Sequence, residues 1–132
     1  MRSSAPVFLI DDDEAIRRSV SRLLKLSGYR VEAYPGAPVF LQTVPVQTEG
    51  VVVLDLRMTE LDGFQLQETL VDSGSPMKII FITAYANAGD RERALSNGAY
   101  GFLLKPFNGR SLIDIVEQCQ TVIKIEAAAR KA

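Results

Sequence analysis

The sequence contains no histidine and only one cysteine, Cys119. Without histidine there is no His-based zinc site, no Ser-His-Asp triad and no Cys-His pair. A lone cysteine excludes an internal disulfide framework and fits a reducing cytosol. Cys119 falls in an apolar helical stretch, where a buried structural thiol is the expected role rather than a reactive one. An excess of charge is missing too: 15 basic and 16 acidic residues leave a net charge of −1. That balance offers no general attraction to nucleic acid or to an anionic membrane surface. No apolar run approaches the length of a membrane span. Met1 to Pro6 also lacks the charged start and long apolar stretch of a signal peptide. The expected location is the cytoplasm.

What is present suits one globular domain. The 132 residues are 47% apolar and 23% charged, enough to bury a single core without staples. Apolar runs of strand length alternate with helical patterns. Val7-Phe8-Leu9-Ile10 ends in carboxylates, and Ile16, Val20, Leu23 and Leu24 then recur at helical spacing until Gly28. Arg30 to Tyr34 alternates like a short strand, followed by a weak helix from Gly36 to Thr43 that Pro38 interrupts. Val51-Val52-Val53-Leu54 is β-branched and continuous, as in a strand buried on both faces. Phe64, Leu66, Leu70 and Val71 mark a helix ending near Gly74, and Ile79-Ile80-Phe81-Ile82 is a second buried strand. Asp90 to Ser96 reads as a short helix, Tyr100 to Leu104 as a strand, and Ser111 to about Lys131 as a final helix.

Five strands alternating with five helices imply a doubly wound parallel sheet with helices on both faces. Residues 1–125 form the expected domain. Residues 126–132, Ala-rich and polar, read as an extension of the last helix or the start of a linker, with little left to pack against the domain.

In such sheets, sites form beyond the C-terminal ends of the strands. The first strand ends in Asp11-Asp12-Asp13-Glu14, the third in Asp55, the fourth in Thr83-Ala84 and the fifth in Lys105-Pro106. Helix capping explains one or two of the four leading carboxylates. The others repel one another, and a divalent cation held by oxygen ligands, Mg²⁺ by preference, would offset that repulsion. Both readings stand for the acidic run alone.

Asp55 closes an all-apolar strand, where a carboxylate is costly without compensation. If the first and third strands are neighbours, Asp11, Asp12 and Asp55 meet. A buried carboxylate beside a metal is a plausible nucleophile toward phosphorus. Lys105 is either a surface lysine or a cation for an oxyanion. Its bond to Pro106 is free to be cis, which would fix the lysine's direction. Thr83 either finishes a strand or offers its hydroxyl to a phosphoryl oxygen.

In order and separation, Leu9-Ile10-Asp11-Asp12, Leu54-Asp55-Leu56-Arg57-Met58 with Asp62-Gly63, Ile82-Thr83-Ala84 and Lys105-Pro106-Phe107 resemble the response-regulator receiver family. The resemblance implies a flavodoxin-like (βα)₅ fold with strand order 2-1-3-4-5. It implies that Asp55 accepts a phosphoryl group from a sensor histidine kinase, with Mg²⁺ as cofactor. Asp12, Asp55 and the backbone carbonyl of Arg57 would be direct metal ligands, and Asp11 would act mainly through water. Thr83 and Lys105 match the phosphate-binding residues, and Phe102 matches the aromatic that changes rotamer. The readout would be the face made by the fourth helix, fifth strand and fifth helix, used for homodimerisation or partner docking. An output domain, commonly for transcription, is expected in the full-length protein, with no nucleic-acid or membrane binding by this segment.

Two departures stand out. Thr59 replaces a frequent proline, which implies altered loop mobility. Arg57 and Tyr85, two residues beyond Asp55 and Thr83, occupy positions that tune phosphoryl lifetime in the family, and their bulk would obstruct an attacking water, so slow autodephosphorylation is expected; Asp13 is expected to cap the first helix. The rival readings are an Asp-nucleophile phosphatase or phosphotransferase and a phosphorylation-independent interaction module. The first expects a second acid where Arg57 stands; the second expects an acid, the lysine or the acceptor to be missing. A nucleotide- or flavin-binding protein would need a Gly-rich loop after the first strand, and there is none. Only self-phosphorylation and autodephosphorylation are expected, not turnover of an external substrate.

Overall fold

The structure, a computed structural model, describes residues 4–131. Strands β1 (Val7–Ile10), β2 (Val31–Tyr34), β3 (Val51–Asp55), β4 (Lys78–Thr83) and β5 (Gly101–Leu104) form one sheet. All neighbours run parallel, in the order β2-β1-β3-β4-β5. Helices α1 (Glu14–Leu26), α2 (Ala37–Thr43), α3 (Gly63–Asp72), α4 (Asp90–Ser96) and α5 (Gly109–Lys131) connect or follow them. This is the doubly wound (βα)₅ architecture that the alternation implied.

The side-chain alternation of the strands divides the core in two. Phe8, Ile10, Val52, Leu54 and Phe81 pack with Phe40 of α2, Leu66 and Leu70 of α3 and Ala94 of α4. Val7, Leu9, Val51, Val53 and Ile80 pack on the other side with Val20 and Leu24 of α1 and Val116, Cys119 and Ile123 of α5. Because β1 and β3 are buried at every position, they carry no polar alternation. Cys119 is buried, and burial pushes its thiol up to about 12, as a structural thiol requires.

Local chemistry sets the helix starts. The Asp13 carboxylate accepts from the amides of Ala15 and Ile16 and so caps α1. Asp62 and Gln65 exchange reciprocal bonds at the start of α3, a capping box. Pro38 does not interrupt α2: it lies in the first turn after the Gly36 N-cap, where a missing N–H costs nothing. Helix α5 continues without a break past residue 126, and its tail is better seated than its composition suggested. Lys78 pairs with Glu126 at 2.7 Å, and Arg130 pairs with Glu49. Ala132, the last residue of the expected extension, and Met1 to Ser3 lie outside the described residues. No described helix is long and apolar enough to cross a membrane.

Candidate functional site

The parallel register brings the strand tips level. Ile10 lies opposite Leu54, Asp55 opposite Ile82 and Thr83 opposite Leu104. The residues that close or directly follow β1, β3, β4 and β5 therefore lie together at the C-terminal end of the sheet. Asp11, Asp12 and Asp55 each offer a carboxylate oxygen within 4.8 Å of the others. Asp11 is fully buried, Asp55 is 5% exposed and Asp12 is exposed.

Lys105 arrives from the end of β5. Its ammonium donates to Asp11 Oδ2 at 2.7 Å and lies 3.6 Å from Asp55 Oδ2. The Lys105–Pro106 peptide bond is cis. The Lys105 amide donates to the carbonyl of Thr83 at 2.7 Å, which joins the tips of β4 and β5.

The charges in this pocket do not balance. Three carboxylates face one ammonium group, and every donor atom is oxygen. Burial raises the Asp55 pKa from 3.8 to about 6, and the nearby Asp11 carboxylate adds to the rise. Lys105 and the Arg57 amide act in the opposite direction. An oxygen-only, anion-rich cluster at a solvent edge suits a hard divalent cation such as Mg²⁺, which keeps part of its water shell.

The pocket is held from behind. The Arg57 amide donates to Asp55 Oδ1 at 3.3 Å, and the Asp13 amide to Asp11 Oδ1 at 2.9 Å. Gly63 passes so close that an added Cβ would lie 2.9 Å from the Asp55 carbonyl oxygen and 2.8 Å from the Phe81 ring. Thr83 is fully buried and its hydroxyl donates to the Tyr85 carbonyl at 2.9 Å, while Tyr85 itself is 67% exposed. Phe102 is buried, with its ring centroid 6.2 Å from that of Phe81. The residues singled out in the sequence thus gather at one end of the sheet, with Phe102 beneath.

Three features were not anticipated. The Arg17 guanidinium donates to the Asp11 carbonyl at 2.7 Å. The Arg57 guanidinium pairs with Asp90 at the start of α4. Gly63 was noted only within a motif, without its packing reason. An arginine on the first turn of the helix following an acidic tip was a usable signal for Arg17. Nothing local links Arg57 to Asp90.

Comparison with known proteins agrees with this arrangement. Residues 7–117 match the response regulator receiver domain family. The transcriptional regulatory protein TdiR of Thauera aromatica is 37% identical over 114 residues, covering 86% of this chain and 50% of that protein. The transcriptional regulatory protein FixJ of Bradyrhizobium diazoefficiens is 34% identical over 134 residues, covering 98% of this chain and 65% of that protein. The solved structure of the response regulator StyR superposes with a TM-score of 0.89 at 35% identity, covering 98% of this chain and 65% of that one. The chain therefore spans between half and about two thirds of the length of these relatives. The family match takes in all five strands, the three carboxylates and the lysine: this chain belongs to the response regulator receiver domain family.

Proposed function

We propose that this chain is the phosphoryl-accepting switch of a cytoplasmic two-component regulator, phosphorylated on Asp55 by a sensor histidine kinase. The observation that carries this reading is the convergence of Asp11, Asp12 and Asp55 with Lys105 in one pocket. A carboxylate attacks only when ionised. With a pKa of about 6, Asp55 is ionised in roughly nine of ten molecules at pH 7. A carboxylate oxygen of Asp55 forms the new O–P bond as the P–N bond to the donor imidazole breaks, and the departing nitrogen takes up a proton. Lys105 presents its ammonium to the incoming phosphoryl oxygens, and the Arg57 amide orients the attacking carboxylate. Asp12, Asp55 and the main-chain carbonyl of Arg57, with Asp11 through water, would hold Mg²⁺, which when bound supplies neutralising charge for the phosphoryl oxygens.

The switch follows from the Thr83 hydroxyl. A phosphoryl group brings nearly two negative charges and strong acceptor oxygens. Thr83 then donates to the phosphoryl group instead of the Tyr85 carbonyl, which frees the segment leading to α4. Phe102 keeps the space beneath β4 and β5 filled. The surface formed by α4, β5 and α5 exposes Leu95, Tyr100 and Leu104, apolar side chains suited to a homodimer or a docking partner. In the longer protein this face controls an output domain, in keeping with the transcriptional regulators among the relatives. The phosphatase reading has no support at residue 57, because its guanidinium is engaged with Asp90 and is no acid or base.

The test is direct. Incubation with acetyl phosphate and Mg²⁺ should add the mass of one phosphoryl group to the intact chain. The adduct should be absent from Asp55→Asn and after chelation of the metal. An adduct that persists in Asp55→Asn overturns the assignment of Asp55. No adduct under any condition overturns the function.

A further inference from the structure

Arg57 faces two ways. Its main-chain amide donates to the Asp55 carboxylate at 3.3 Å, while its side chain pairs with Asp90, the first residue of α4. Asp90 is itself shared: the same Oδ2 accepts from the Asn87 amide at 2.7 Å and so closes the loop between β4 and α4. Helix α4 needs such fastenings because it is poorly anchored by apolar contact. Ala94 is its one buried residue. Polar contacts add to this attachment. Gln67 Nε2 donates to the Ala94 carbonyl at 3.0 Å, and Arg91 Nη1 to the Phe102 carbonyl at 3.1 Å. Arg93 reaches Glu68 at 3.3 Å and lies 4.0 Å above the Phe64 ring. Of these fastenings, Arg57–Asp90 is the one that runs to the acceptor loop.

We infer that the Arg57–Asp90 pair is a latch that holds α4 down in the resting chain and is released when Asp55 is phosphorylated. The inference rests on the proposed function for its trigger. An aspartyl phosphate two residues before Arg57 offers a doubly charged acceptor where the resting site has a single carboxylate bonded to the Arg57 amide. The guanidinium cannot serve both anions fully. Its transfer toward the phosphoryl group leaves Asp90 without a partner and removes one of the few restraints on α4. A latch of this kind biases two arrangements that already differ in contact with the same side chain, as a population shift requires. Arg57 and Asp90 are positioning residues here, because neither side chain takes part in bond formation.

The experiment is backbone hydrogen exchange of the full chain, followed over residues 87–97, with and without acetyl phosphate and Mg²⁺. Intact mass is recorded on each sample. In the unphosphorylated state, Arg57→Ala and Asp90→Ala should each raise exchange of α4 roughly two- to fivefold, the range expected for breaking a partly exposed ion pair. Arg57→Lys should restore most of the protection and Arg57→Met should not, whereas a role of the long side chain apart from its charge would be filled by either. The double variant should exchange no faster than Asp90→Ala alone, since both remove the same contact. Phosphorylation should loosen α4 in the wild type and add a smaller increment in Arg57→Ala, where only the Thr83 exchange is left to act. Unchanged α4 exchange in both single variants overturns the latch. Phosphorylated wild type with α4 still fully protected overturns its release while leaving the receiver reading intact. Absence of any phosphoryl mass overturns the receiver reading and the trigger together.

Discussion

Lys105 stands nearer to Asp11 than to the acceptor: its ammonium is 2.7 Å from Asp11 Oδ2 and 3.6 Å from Asp55 Oδ2. In the resting chain it is first the counter-ion of a fully buried carboxylate. Lys105→Met should therefore destabilise the fold as well as impair phosphoryl transfer. Removing one partner of a buried pair costs about 3–5 kcal/mol, and the partial exposure of Lys105 points to the lower end. Urea denaturation in EDTA measures the loss, and adding Mg²⁺ should recover part of it. An unchanged unfolding midpoint would show that Asp11 does not depend on Lys105.

Asp55 opposes folding at neutral pH. Its pKa lies at about 6 in the folded chain against an ordinary 3.8, so between these values the folded state binds more protons than the unfolded state. Stability then falls as pH rises across that window, and the full penalty is present above about pH 6. Asp55→Asn should be more stable than wild type near pH 7, by about 1–3 kcal/mol, and the difference should vanish toward about pH 4. Chemical denaturation of both proteins at several pH values, without metal, gives the result. A difference that grows on acidification would reverse the sign.

Asp12 separates metal binding from folding. It is exposed, so Asp12→Ala should shift metal-free stability by no more than about 0.5 kcal/mol. The wild type should gain about 1.4 kcal/mol at a Mg²⁺ concentration ten times its dissociation constant. Asp12→Ala should lose most of that gain. Thermal unfolding across a Mg²⁺ titration reads both effects, and equal gains in the two proteins would remove Asp12 from the ligand set.

Gly63 is required by close approach, not by an unusual backbone angle. A methyl group there meets the Asp55 carbonyl, the Leu56 Cα and the Phe81 ring within 2.9 Å. Two of those three neighbours are backbone and cannot turn aside. Gly63→Ala should cost about 1–3 kcal/mol through overpacking and should slow phosphorylation by displacing the end of β3. Unfolding midpoints and the rate of mass gain with acetyl phosphate check the two parts.

Most of the architecture was legible because β1, β3 and β4 are buried on both faces and so appear as unbroken apolar runs. The pocket was legible because strand tips in a parallel sheet fall level, so the residues after each run are neighbours by construction. The edge strand β2 was blunter: two of its four residues are exposed, and its pattern is correspondingly weak. Pro38 was misread as a break because a proline in a helix interior and one in a first turn look alike without the helix start. The Arg57–Asp90 pair was hidden for a different reason. Its partners are 33 residues apart, and only the docking of α4 beside the acceptor loop decides that they meet.

Helices α1 and α5 are seated by apolar side chains, whereas α4 is fastened almost wholly by charges and hydrogen bonds. Dissolved ions weaken such fastenings when they are exposed and leave oily contacts intact. Ionic strength thus becomes a second input to this molecule, acting on the helix that Arg57 ties to the acceptor loop. In concentrated electrolyte, α4 should drift toward its released arrangement with no phosphoryl donor present.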